Sequence, residues 1–231
     1  MLMAALQSEC NATVITITTA QSPFAGSSLN QGWWSNSVSN TDSNTDYGIG
    51  VFGAADHRGF ASFDFSGFTV NDTISSATVK IQRGDSAGLN DATETVGFRD
   101  VSTSAATLNA NSSASAGIYS DLGTGTSYGD FVVPGDDLST VVLDFNLSNA
   151  VANLNAAKGG FFSVGFFLNS QDGNQALFLN TAAFPISIEV TYTTSFASVP
   201  EPSVVGFLAV GCGTVLVRRF RRKLGTSNSQ V

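Results

Sequence analysis

The chain has 231 residues, only 12% of them charged, with 18 acidic against 10 basic side chains and a net charge of −8. That length holds one domain with a real core, and an aromatic share of 10%, eighteen of the residues being Phe, excludes a disordered polymer. Between residues 13 and 198 there are sixteen carboxylates and five cations, or about −11, which excludes nucleic acid and anionic surfaces as partners.

Residues 1–12, beginning Met1-Leu-Met-Ala-Ala-Leu6, have two readings. They are the remnant of a truncated secretory signal with a misassigned start, lacking a basic leader and a full apolar stretch, or a short unstructured N-terminus. The only cysteines are Cys10 and Cys212, so the region between them has no disulfide, no thiol nucleophile and no Cys-based metal site.

From Thr13 to Thr19 the chain is rich in β-branched residues and reads as the first strand. Residues 21–46, dense in Ser, Asn, Gly and Asp around Trp33-Trp34, read as a long loop or irregular edge. Ala61, Phe63 and Phe65 recur at period two, which predicts a half-buried strand over 56–66. Ala77, Val79 and Ile81 predict the next over 74–82, and Val96 and Phe98 another over 94–101. Residues 102–116 read as a Ser/Ala/Asn-rich connection and 118–129 as a turn-rich motif with glycines at tight bends. Strands follow at 130–133, 139–145, 161–168, 175–179 and 186–192, with the one convincing soluble helix at 149–157. Many short strands and one helix exclude a parallel α/β fold and predict an all-β antiparallel β-sandwich, jelly-roll-like, over 13–194.

Residues 195–198 read as a linker to a tail built of three parts. Val199, Pro200, Glu201, Pro202 and Ser203 come first; the prolines fix φ and favour extended neighbours, giving a stiff stalk with one carboxylate. An uncharged apolar run fills 204–217, fourteen residues that as a helix would cover about 21 Å of a hydrocarbon core of about 30 Å. Arg218, Arg219, Arg221, Arg222 and Lys223 then hold that end in the cytoplasm and can snorkel across the shortfall. The chain therefore ends as a single C-terminal transmembrane helix with a cytoplasmic tail at 225–231, the domain lying outside.

In that order the three parts over 199–224 resemble the PEP-CTERM sorting signal of bacterial exported proteins. The resemblance implies that Pro200, Glu201 and Pro202 are read by an exosortase, a membrane-embedded processing enzyme, and that the mature protein reaches the cell surface or an exopolysaccharide matrix. The body resembles ectodomains found with that signal, through Asp56, Arg58, Phe60, Phe63 and Asp64 and then Ile74, Ser76, Ala77, Thr78 and Val79. Both stretches are also similar to strands of jelly-roll modules that bind polysaccharides.

Chemistry for catalysis is sparse. His57 is the only histidine, so zinc has no second imidazole and a Ser/His/Asp triad would hang on this one residue. Asp42, Asp46, Asp56 and Asp64 are oxygen donors of the kind a structural calcium takes, without a contiguous loop pattern. Trp33 and Trp34, with Tyr47 nearby, are candidate contacts for a glycan, but neighbours on a strand face opposite ways, so one at most would be exposed, and core packing is the stronger reading. Asn71-Asp-Thr and Asn146-Leu-Ser match the N-glycosylation pattern, which implies little in a bacterium. The expectation is a non-enzymatic exported surface protein with no cofactor. A carbohydrate-binding module would add a solvent-facing aromatic strip, and a surface hydrolase two carboxylates about 5 to 10 Å apart.

Overall fold

A computed structural model describes residues 11–195 apart from 21, 25–26, 41–43, 111–113, 136–140 and 181–183. The expected sorting motif, transmembrane helix and basic cluster lie outside the described residues, as do residues 1–10. Among the described residues no helix is long and apolar enough to cross a membrane.

The described residues form twelve strands: β1 (Ala12–Thr18), β2 (Gln31–Ser35), β3 (Tyr47–Phe52), β4 (Ala55–Asp64), β5 (Asp72–Gln82), β6 (Asp85–Ala87), β7 (Thr93–Asp100), β8 (Ser127–Pro134), β9 (Val142–Asn146), β10 (Phe161–Leu168), β11 (Ala176–Asn180) and β12 (Ser187–Thr194). The helices are α1 (Ala105–Leu108), α2 (Ala116–Thr124) and α3 (Val151–Ala156), the last preceded by a 3-10 turn at Ser148–Ala150.

Every strand pair is antiparallel, and the strands make two sheets. The smaller has the order β1-β12-β5-β9; the larger runs β6-β11-β3-β4-β10-β7-β8, with β2 added against β4. Their facing side chains form one core, in which Phe63, Phe98, Phe145, Phe166, Val79, Ile81, Ile188 and Val190 are buried. The aromatic rings interlock: Phe98 lies 4.7 Å from Phe145 across the sandwich and 5.9 Å from Phe166 within its own sheet.

β5 shows how sequence sets register. Ala77, Val79 and Ile81 are buried at period two, but Ile74 is also buried, three residues before Ala77. A bulge reconciles the two: Thr191 opposes Ser76 and Tyr192 opposes Ile74, so Ser75 has no opposite number and the alternation resets.

β4 departs from the expected half-buried strand. Phe60, Ala61, Ser62 and Phe63 are all buried, which requires cover on both faces of the large sheet. The outer cover is a second, smaller core of Trp34, Phe60, Leu108 and Leu122, supplied by β2, β4, α1 and α2. The connection at 102–116 and the turn motif at 118–129 are thus corrected: they contain two helices, each started by a serine N-cap. Ser104 accepts from the Thr107 amide and Ser115 from the Ile118 amide.

A glycine of the second stretch answers a need for room: a Cβ on Gly125 would sit 2.0 Å from the Asp100 carbonyl oxygen. On the facing strand, α2 lies so close to β10 that a Cβ on Gly165 would sit 2.4 Å from the Leu122 carbonyl oxygen. Two further corrections apply: residues 21–46 contain β2, and α3 is not the sole helix. β3 and β6 went unforeseen because β3 carries Gly48 and Gly50, the latter at φ 94°, and β6 has only three residues.

Candidate functional site

The stretch Asp56-His57-Arg58 sits on β4, where alternate residues turn to opposite faces. Asp56 and Arg58 turn outward and hold α2. The Tyr119 hydroxyl donates to Asp56 Oδ2 in a short hydrogen bond. Burial, then that bond to Asp56, push the Tyr119 pKa up to about 12, with Arg58 working against them. Arg58 Nη1 donates to the carbonyls of Tyr119 and Ser120 at 3.0 and 3.2 Å, and its guanidinium lies 4.2 Å from the centre of the Tyr119 ring. Gly123 gives the guanidinium its place: a Cβ there would be 2.3 Å from Arg58 Nη1. Phe60 and Phe63 fill the two cores, and Asp64 Oδ1 accepts the Ser66 amide at 2.8 Å. Asp56, Arg58, Phe60, Phe63 and Asp64 thus have structural duties here.

His57 is 2% exposed, its ring stacked 3.6 Å from Phe52 and met edge-on by Trp33 at 4.7 Å. Burial pushes its pKa below the usual imidazole value, while the carbonyls of Gly50 and Ala55 and the Asp56 charge pull the other way. Ser35 stands opposite it on β2, but that hydroxyl oxygen accepts the Ser37 and Val38 amides.

The proposed aromatic platform is corrected. Trp34 is 2% exposed in the second core, its indole N–H donating to the Leu108 carbonyl at 3.0 Å. Tyr47 is 1% exposed, with its hydroxyl donating to the Gln82 carbonyl at 2.8 Å. Only Trp33 keeps part of its surface, and its ring packs edge-on against His57 and Phe52. The physical reason is the second core, which claims the outward-facing member of the pair.

The acidic residues do not gather either. Asp42 lies outside the described residues, Asp56 and Asp64 are engaged as above, and burial raises the pKa of Asp46 against a hydrogen bond from Thr45. Among the described residues no three His, Cys, Asp or Glu side chains converge as a metal site would need.

What the structure does bring together is a pocket of about 280 Å³ where the end of β7, the start of β10 and α3 meet. Asp100, Asn153 and Ser163 are among its lining residues, with Phe161, Phe162 and Ala157. The Tyr128 hydroxyl donates to Asp100 Oδ1 at 2.6 Å and accepts from Asn153 Nδ2 at 2.7 Å, locking the carboxylate and the amide side by side. Burial, and then Asp100, drive the Tyr128 pKa well above the ordinary phenol value. Ser163 Oγ is 2.7 Å from Ser62 Oγ. No local motif announces this constellation, because its polar residues come from three elements far apart in sequence.

Fold and site together define an antiparallel β-sandwich with one outer face roofed by helices and a small pocket of mixed polar and apolar lining at the end of β7. No protein-family model matches the chain, and no curated protein matches it either.

Proposed function

We propose that this chain is an exported bacterial surface protein, non-enzymatic, whose jelly-roll-like sandwich is delivered outside the cytoplasmic membrane by a C-terminal sorting signal of PEP-CTERM type. The observation that carries this reading is the order of three unlike segments: Pro200-Glu201-Pro202, the uncharged run 204–217, and five cations within Arg218–Lys223. Half of the chain's ten cations lie in that last segment, although it makes up a small part of the length. In this reading residues 204–217 anchor the chain in transit, an exosortase-type enzyme recognises Pro200, Glu201 and Pro202, and the mature domain resides among extracellular polysaccharide.

A disulfide-free, acidic β-sandwich suits such a cargo, since it folds outside the membrane without an oxidation step. The test is the intact mass of the protein from its native host, in membrane and extracellular fractions. A mass ending near 200–203, abolished when Pro200, Glu201 and Pro202 are replaced by alanine, is the expected result. A full-length membrane-bound mass, unchanged by those substitutions, would overturn the sorting assignment and leave a plain anchor.

A further inference from the structure

The strand β1 has one open side. Thr19 donates its amide to the Ile186 carbonyl at 3.0 Å, and the register sets Thr18 against Ser187, so residue 19 and every second residue before it turn their backbone groups to β12. Thr13, Ile15 and Ile17 are thereby paired, while the amides and carbonyls of Ala12, Val14, Thr16 and Thr18 point the other way. On that side they meet no strand and no hydrogen-bond partner among the described residues. Nor are they hidden: Val14 is 57% exposed, with Ala12, Thr16 and Thr18 exposed beside it. Ile15 and Ile17 turn to the core yet are only half-buried, and they line a cleft of about 380 Å³ with Phe68, Tyr192, Asp64 and Asp72.

Other outermost strands are guarded. β6 has three residues, and β8 and β9 carry Asp130 and Asp144. β1 has seven residues, and every one from Thr13 to Thr18 is β-branched. It has no proline, no charge and no bulge against β12. The whole run of residues 10–41 contains no charged side chain. An open edge of that composition is a template for one more strand.

Charge selects the strand that adds. The domain carries about −11 over residues 13–198, so an acidic strand is repelled, and a basic one finds no carboxylate on β1 to pair with. The class that remains is neutral, extended and β-branched. β1 is itself such a strand, and two copies meeting there bring no charge on the strands that touch.

We propose that two copies of this chain associate through β1, antiparallel about a two-fold axis at Ile15. Outward-facing groups meet outward-facing groups only when the axis passes through a residue, and Ile15 is the midpoint of Ala12–Thr18. Val14 then opposes Thr16 of the other copy, and Ala12 opposes Thr18. The two small sheets become one continuous sheet, with Ile15 and Ile17 of both copies on the face that carries the cleft. One strand a side is a small interface, below the roughly 1,200 Å² of stable complexes, so the dimer is reversible. Nothing in this depends on how the tail is processed, so either proposal can fail alone.

Sedimentation equilibrium of the full chain in density-matched zwitterionic detergent, with amide exchange read by NMR at the same concentrations, tests the assignment. The amides of Val14, Thr16 and Thr18 should gain protection as dimer forms, while those of Thr13, Ile15 and Ile17 are protected throughout. Thr16→Pro removes only an outward N–H, which an edge strand tolerates. It should weaken the dimer by about tenfold or more and leave the melting temperature of dilute protein unchanged. Val14→Asp with Thr16→Asp sets carboxylate against carboxylate and should do the same, whereas Val14→Lys with Thr16→Asp sets opposite charges across the axis and should restore the dimer. The proposal is overturned if the chain stays monomeric to about 0.5 mM. It is overturned equally if the dimer ignores both disruptive variants, which would place association elsewhere, the tail included. Protection of the outward amides in the monomer would show β1 covered by its own chain, and failure of the opposite-charge pair to restore the dimer would refute the register; either result also sinks it.

Discussion

Gly165 is a residue chosen for what it lacks. Its conformation is ordinary, but the Leu122 backbone approaches so closely that a Cβ would lie 2.4 Å from a carbonyl oxygen and 2.8 Å from a Cα. Backbone cannot swing aside as a long side chain can, so Gly165→Ala must lift α2 from the sheet. A loss of roughly 1 to 3 kcal/mol is expected, seen as a lower urea midpoint at unchanged slope. Asp72 acts at the same scale through charge. Its carboxylate accepts from the hydroxyl of Thr194 and from the amide and hydroxyl of Thr69, and these bonds, with a smaller contribution from Lys158, hold its pKa below the ordinary carboxylate value against the opposing effect of burial. A depressed folded pKa stabilises wherever the unfolded carboxylate is already ionised. The contribution is thus full above about pH 4 and drains away as pH falls through the folded pKa. Asp72→Asn should be less stable at neutral pH and show a shallower decline in acid, read from urea unfolding across that range.

At the scale of elements, α2 is held by few but directed contacts. Arg58 and Asp56 grip its Tyr119, and Asp121 grips the loop before α1: its carboxylate accepts from the Ser102 hydroxyl and from the amide and hydroxyl of Thr103. Burial alone would raise the Asp121 pKa, and those hydrogen bonds more than reverse it. Leu122 is the one fully buried side chain of the helix and joins the small outer core, not the main one. Leu122→Ala should cost about 2 to 5 kcal/mol. Native-state hydrogen exchange should show α2 amides losing protection while β5 and β12 keep theirs. The same economy explains why α2 was not legible. A helix with a single buried residue has no apolar stripe to read, and Gly117, Gly123 and Gly125 look like bends when read alone. β5, β7, β10 and β12 were legible because β-branched and aromatic residues alternate along them against one core. β2 was hidden because both faces are covered there, so Trp33 and Trp34 stand side by side without alternation.

At the scale of the molecule, two antiparallel sheets share one core, and most outermost strands are short or carry charge. β6 has three residues; β9 bears Asp144, paired with Lys80 at 2.9 Å; β8 bears Asp130, paired with Arg99 at 3.0 Å. Charge and brevity discourage edge-to-edge association. Fold class could be read from strand number and the shortage of helix, since little else buries so many Phe residues in so short a chain. The pocket could not, because Asp100, Asn153 and Ser163 meet only once β7, α3 and β10 are assembled, and no one segment carries the pattern.

The position of β12 also sets a timetable. It is the last of the described strands in chain order, yet it lies inside the small sheet, paired with β1 over Ala12–Thr18 on one side and with β5 over Asp72–Lys80 on the other. β1, the first of the described strands in chain order, has no strand partner among the described residues until Ser187–Thr194 has emerged. The sandwich therefore cannot close while the chain is still being delivered end-on through a ribosome or a translocation channel, and completion waits for the residues just ahead of the tail. Contacts that join the two ends of a chain are the slow ones to form. A sandwich so wired stays open, and threadable, until Ser187–Thr194 has passed.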